Sequence, residues 1–198
     1  MRVLRSAGYA YMPWKNGGGT TAAIAIAPAG AGIDAFDWRV SMARVDSDGP
    51  FSAFSGIDRT LTIIEGAGLH LSVDGESIDL TGHSNPFSFR GEAVTRATRI
   101  DGAVVDLNVM SRRDRFTHRV TRISTPCEIV PAVGASIALL FCCRGSVRIE
   151  SGQRRAELEA RDSLLLENPH APLRLASDAS ALSLLIEIWP ADAQIRRP

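Results

Sequence analysis

Apolar residues along this chain come in short runs rich in Val, Ile, Leu and Phe, with Gly, Pro, Asn or Asp between them. Such runs, bounded by turn formers, read as β-strands, and no segment sustains the period of an amphipathic helix. The clearest strands are expected at Trp38–Val45, Leu61–Ile64, Leu69–Val73, Val94–Arg99, Val104–Met110, Ile137–Cys142, Ser146–Glu150 and Leu182–Trp189. Many short strands with little helix predict an all-β sandwich or barrel. Alternation then sorts side chains onto faces. Trp38, Val40 and Met42 share one side of their strand, and Arg39 and Ser41 the other. Likewise Asp106 and Asn108 lie with Met110, opposite Val105, Leu107 and Val109.

An internal similarity says more about architecture than any single run. Glu65-Gly66-Ala67-Gly68 leads into alternating Leu69, Leu71 and Val73, a turn at Asp74-Gly75, a strand through Ile78 and Leu80, and then Pro86-Phe87-Ser88-Phe89. Arg144-Gly145 leads in the same way into Val147 and Ile149, a turn at Ser151-Gly152, a strand through Leu158, and Arg161-Asp162 before Leu164-Leu165-Leu166. The chain is therefore expected to hold two related halves, residues 1–115 and 116–198, with the border between Arg112 and Thr125.

Composition narrows the function classes. With 45% hydrophobic and 22% charged residues the chain fits a folded domain. Its 22 basic and 22 acidic residues cancel, so no global field draws in nucleic acid or an anionic membrane, and a charged ligand has to be recognised locally. No apolar run is long enough to span a bilayer, and no secretory signal is visible, which points to the cytoplasm. Cys127, Cys142 and Cys143 read as thiols of a reducing compartment.

Candidate chemistry begins at Pro13-Trp14-Lys15-Asn16-Gly17-Gly18-Gly19. Lys15 is the single lysine beside twenty-one arginines, and the two cations differ in hydration and in how readily their pKa moves. Glycines after it can expose backbone N–H groups to an anion, although a lysine before the glycines is not a nucleotide-binding loop. Against this stands a chance surface lysine. Arg39 offers a planar fork to a carboxylate if its face turns inward, and is an ordinary solvated arginine if not. After Gly49-Pro-Phe-Ser-Ala-Phe54, the adjacent Asp58 and Arg59 either anchor the loop or read a ligand. His70, His83, His118 and His170 are scattered, without the close pairing that places two imidazoles on one metal, so no metal and no cofactor is expected.

Met12-Pro-Trp-Lys-Asn-Gly-Gly-Gly-Thr-Thr21, Trp38-Arg-Val-Ser41, Gly49-Pro-Phe-Ser-Ala-Phe54, Gly56-Ile-Asp-Arg59, Glu65-Gly-Ala-Gly68 and Asp106-Leu-Asn-Val-Met-Ser-Arg-Arg113 together resemble the HutD/Ves family of the cupin superfamily. The resemblance implies a double cupin, two stacked jelly-roll or β-barrel halves packed as one unit, without a metal. It implies association with bacterial histidine utilisation in the HutD branch and with cold or stress response in the Ves branch. Matching polar or motif positions are Trp14, Lys15, Asn16, Arg39, Asp58, Arg59, Asp106, Asn108 and Arg112. One departure is that Ala22 and Ala23 follow Thr21 where the family usually reaches a Glu.

The expected function is a sensor or regulator that binds a small anionic metabolite of the histidine pathway, such as formylglutamate or urocanate. Its expected ligand-binding residues are Trp14, Lys15, Asn16, Arg39, Arg59, Asp106, Asn108 and Arg112, with no catalytic residue. The alternative is a metal-independent isomerase or hydrolase with Lys15 and Asp106 as acid and base. A third reading is a protein-interaction scaffold. Neither nucleic acid nor membrane is an expected partner, while exposed sheet edges leave room for a homodimer.

Overall fold

The computed structural model describes residues 1–14, 17–177 and 181–191. All the extended elements are β-strands, joined by turns and one short 3₁₀ turn at Ser6–Gly8. The chain opens on β1 (Arg2–Leu4) and then builds a first compact unit, Tyr9–Arg115. That unit contains β2 (Ala10–Pro13), β3 (Gly19–Ala27), β4 (Trp38–Val45), β5 (Gly49–Pro50) and β6 (Ile57–Glu65). It continues through β7 (Leu69–Val73), β8 (Glu76–Leu80), β9 (Phe87–Arg90), β10 (Thr95–Arg99) and β11 (Val104–Arg112). One sheet runs β2-β3-β4-β11-β6-β9 and the other β5-β10-β7-β8. Leu61, Ile63 and Val104 of the first sheet pack with Leu69, Leu71, Leu80 and Ala97 of the second, so this core lies between two facing sheets.

The second unit takes β12 (Phe116–Ile123), β13 (Cys127–Ile129), β14 (Ile137–Arg144), β15 (Val147–Ser151), β16 (Arg154–Leu158), β17 (Ser163–Glu167), β18 (Leu173–Ser177) and β19 (Leu182–Pro190). Its sheets run β1-β17-β14-β19-β12 and β13-β18-β15-β16. Between them lies an apolar core of Leu140, Cys142, Val147, Ile149, Leu158, Leu164 and Leu185 with their neighbours.

Strand order makes the repeat explicit: β4-β11-β6-β9 of the first unit corresponds to β12-β19-β14-β17 of the second, and β5-β10-β7-β8 to β13-β18-β15-β16. Even the irregularities coincide. The β6–β11 ladder slips between Val105 and Asp106, and the β14–β19 ladder slips at the matching step between Cys142 and Arg144. The Asp74-Gly75 turn has both residues at positive φ, 49° and 89°, the conformation a two-residue hairpin between β7 and β8 requires.

Two features differ from the sequence expectation. Residues 1–8 belong to the second unit, because β1 pairs with β17 at Arg2–Leu165, Val3–Leu164 and Leu4–Ser163. The nine-residue β3 was not expected, since Gly-Thr-Thr-Ala-Ala-Ile-Ala-Ile-Ala is poor in the side chains that signal a strand. The described pairings give facing sheets in each unit, the sandwich form of the two that the sequence left open.

Candidate functional site

Side chains that pair directly across an antiparallel ladder point to the same face. In the first unit Arg39, Met110 and Arg59 form one such row across β4, β11 and β6, followed by Ser41, Asn108 and Leu61, and then by Ala43, Asp106 and Ile63. Leu61 and Ile63 are core residues between the sheets, so these rows face inward. The polar face expected from the alternation of β4 and β11 is thus the interior face, which we call the cup.

Arg59 is 4% exposed and closely held. Its Nε and one terminal nitrogen donate to Asn108 Oδ1 at 3.3 and 2.9 Å, and its other terminal nitrogen donates to the Ser52 carbonyl at 3.3 Å. The guanidinium carbon lies 5.1 Å from the centre of the Phe51 ring, 5.6 Å from Phe54 and 5.2 Å from Phe89. Aromatic faces attract a cation through their quadrupole, so this cage retains charge while excluding water. Because arginine only donates, Asn108 must turn its oxygen to Arg59. Its Nδ2 then donates to Asp106 Oδ1 at 2.9 Å.

Burial raises Asp106 to about 7, although Arg59 and the Asn108 hydrogen bond favour its ionised form. Burial lowers Arg59 to about 10, with Asp106 opposing and Arg39 adding to the fall. Arg39 is lowered too, again by burial. Both guanidinium groups remain cationic at neutral pH.

Arg39 differs from Arg59 in one respect. It is 6% exposed, yet no hydrogen bond or ion pair joins its guanidinium to any of the described residues. The row position between it and Arg59 is taken by Met110, packed with Phe36 and Ile57. A buried cation without a counter-ion carries a desolvation cost that an incoming anion can offset.

The remaining predicted residues separate. The Trp14 indole donates to Thr21 Oγ1 at 2.7 Å and lies against Gly19, where an added Cβ would meet ring carbons at 3.1 Å. Thr21 pairs with Ala43, so Trp14 sits on the inward side of β3. Arg112 follows Met110 on the inward face, but its guanidinium donates to the Phe36 carbonyl at 3.3 Å and is half-buried. Asp58 points the other way and accepts from Arg113 at 2.8 Å, an anchoring role shared with Glu92. Lys15 and Asn16 lie outside the described residues. Among the described residues no group of three His, Cys, Asp or Glu side chains is arranged to hold a metal.

The model of the HutD family matches residues 6–184. The chain belongs to the HutD family. An uncharacterised 21.2 kDa protein in the hutC 3′ region of Pseudomonas putida is 33% identical over 168 residues, covering 84% of this chain and 87% of that protein. Protein Ves of Citrobacter koseri is 38% identical over 109 residues, 54% of this chain and 56% of its own length. A solved structure described as HutD from Pseudomonas fluorescens, formate condition, is 32% identical with a TM-score of 0.83, covering 96% of this chain and 98% of that one. Its two β-units of matching strand order give this HutD family member a cupin-like double β-domain fold.

What the sequence did not supply for this HutD chain is the aromatic cage and the filler. Phe51 and Phe54 were visible as a loop before Asp58-Arg59, but only the fold brings Phe89 beside them. Met110 was noted for its face and not for the charge it fails to provide.

Proposed function

We propose that this protein binds a small carboxylate in the cup of its Tyr9–Arg115 unit, without a metal, and serves histidine utilisation as a sensor or regulator rather than as an enzyme. The observation that carries this reading is Arg39, a buried residue whose guanidinium has no counter-ion among the described residues, one row position from Met110 and two from Arg59. Two strand spacings separate the arginines' backbones, about 10 Å, which suits an anion received between them. Arginine's fork matches a carboxylate's two oxygens. Relatives named for the hut region and for a formate condition favour formate, or a formyl-bearing amino acid such as formylglutamate, as the first compounds to try.

Arg59 is the preorganised wall of this cup, because Asn108 and the aromatic cage fix it before any ligand arrives. Trp14 lines the inward side of β3, and Lys15 follows it in the sequence. Asp106 titrates near neutrality, as a general base would, but its Oδ1 is committed to Asn108. A turnover assay on histidine-pathway intermediates separates the two cases, since a sensor returns every compound unchanged.

Calorimetric titration with formate and with formylglutamate tests the reading. Arg39→Ala is expected to weaken binding by about 10- to 100-fold, the worth of a charge-assisted hydrogen bond. Its melting temperature should hold or rise, because the substitution removes an uncompensated buried charge. Lys15→Ala is expected to weaken the same titration with the melting temperature nearly unchanged. Wild-type affinity in Arg39→Ala would remove the proposal.

A further inference from the structure

The two units place different charges at one and the same position of their repeat. Registering β11 on β19 through their coincident slips aligns Asp106 with Ser183, Asn108 with Leu185 and Met110 with Glu187. Registering the neighbouring strands aligns Arg39 with Arg119 and Arg59 with Ala138. The sequences agree at this place, Arg39-Val40-Ser41 against Arg119-Val120-Thr121. The row that reads Arg39, Met110, Arg59 in the first unit therefore reads Arg119, Glu187, Ala138 in the second.

In the second unit the arginine has its counter-ion built in. Glu187 is 1% exposed, and its Oε2 accepts from Arg119 at 2.6 and 3.2 Å. Its Oε1 accepts the Ala132 backbone N–H at 2.7 Å. Arg119 also lies 5.4 Å from the Trp189 ring centre, as Arg59 lies over its phenylalanines. A buried carboxylate with both oxygens engaged is what this row accommodates when the chain itself provides the acid.

We infer that the ligand's carboxylate in the first unit is the counter-ion that Glu187 supplies from within the chain in the second, and that Met110, which brings no charge to this row, is the specificity-determining residue that leaves that role to the ligand. The inference rests on the proposed carboxylate binding and deepens it. The ligand presents one carboxylate to Arg39 as Glu187 presents its own to Arg119. The second unit, already neutralised, binds none, so each chain takes one carboxylate. Side-chain size is not the selecting property, because methionine and glutamate are of similar length; the charge is.

Titration with formate, with melting temperature followed in parallel, decides it. Wild-type protein is expected to bind one formate per chain. Met110→Glu should lose at least about a hundredfold by furnishing an internal counter-ion to Arg39, and a much larger part of the affinity than Met110→Gln, which changes the same side chain without adding the charge. In the second unit Glu187→Ala should melt lower than wild type, and formate, but not chloride at equal ionic strength, should restore part of the loss with a second equivalent bound. That arm stands even if Met110→Glu does not fold. Wild-type formate affinity in folded Met110→Glu, or a Glu187→Ala protein indifferent to formate, would overturn the equivalence while leaving carboxylate binding intact. Failure of the wild type itself to bind either formate or formylglutamate would instead remove the underlying reading.

Discussion

At the scale of single residues the cup is governed by how burial acts on charge, and Asp106 shows the consequence in its pH dependence. Burial raises its carboxyl from the ordinary carboxylate range to about 7, so the folded protein holds a proton that the unfolded chain has released. Stability from this group is therefore highest below the unfolded pKa and falls as pH rises toward about 7, by on the order of a few kcal/mol, then levels off. Asp106→Asn should flatten that decline and melt higher than wild type at mildly alkaline pH. The charged group that acts on Asp106 is Arg59, itself coupled to Arg39, and Asn108 links Asp106 to Arg59. An anion between those arginines favours the protonated acid, so formate affinity should rise as pH drops from about 8 to about 6, with proton uptake. Equal pH slopes in wild type and Asp106→Asn, measured by titration in two buffers of different ionisation enthalpy, would show that Asp106 is not the linked group.

At the scale of elements, strands set the rows and one loop closes over them. Phe51 and Phe54 reach Arg59 because Phe54 N–H donates to the Gly91 carbonyl at 2.8 Å and Gly91 N–H donates to the Ile57 carbonyl at 2.7 Å. A Cβ on Gly91 would meet the Phe54 carbonyl at 2.6 Å and the Ile57 carbonyl at 2.9 Å, both backbone atoms that cannot swing aside. Gly91→Ala should cost roughly 1–3 kcal/mol, as overpacking does. It should also loosen the cage, with formate affinity falling further than the stability loss alone explains, read as a larger change in calorimetry than in the urea midpoint. Much of this level was legible beforehand. The double-hairpin repeat, the turn at Asp74-Gly75 and the shared face of Asp106, Asn108 and Met110 follow from periodicity and turn chemistry, and the structure has them. The β3 strand and the Phe89 contact were not legible, because small side chains carry little strand signal and a contact between β6 and β9 depends on pairing register. The pairing of Arg39 with Arg119 was within reach of the sequence, had the repeat been extended outward from Gly66 and Gly145 to the Arg-Val-Ser and Arg-Val-Thr segments.

At the scale of the whole chain the unexpected feature is that β1 completes a sheet whose other members begin more than a hundred residues later. A three-residue strand carries almost no signal of its partner, and long loop closure is entropically costly, so something must hold it. Asp162 does. It is 4% exposed and accepts from the Arg5 guanidinium at 2.6 Å, the Ser6 N–H at 2.8 Å and the Glu159 N–H at 3.2 Å. Burial alone would raise its pKa, but the Ser6, Arg5 and Glu159 hydrogen bonds outweigh it and hold the carboxyl below the usual range. The sign is opposite to that of Asp106: stability from Asp162 is present above the unfolded pKa and is lost as pH falls through the lower folded value. Asp162→Ala leaves the Ser6 and Glu159 N–H groups without their acceptor and frees β1 from β17, so it should cost about 2–4 kcal/mol at neutral pH. The deficit should shrink toward zero on acidification, where the wild-type carboxylate is itself protonated. Urea unfolding across pH measures the first effect, and amide exchange at Val3 and Leu165 the second, with protection at both lost together in the variant. A variant that keeps protection at Val3 would assign the strand's hold to its apolar packing against the second core instead of to this carboxylate.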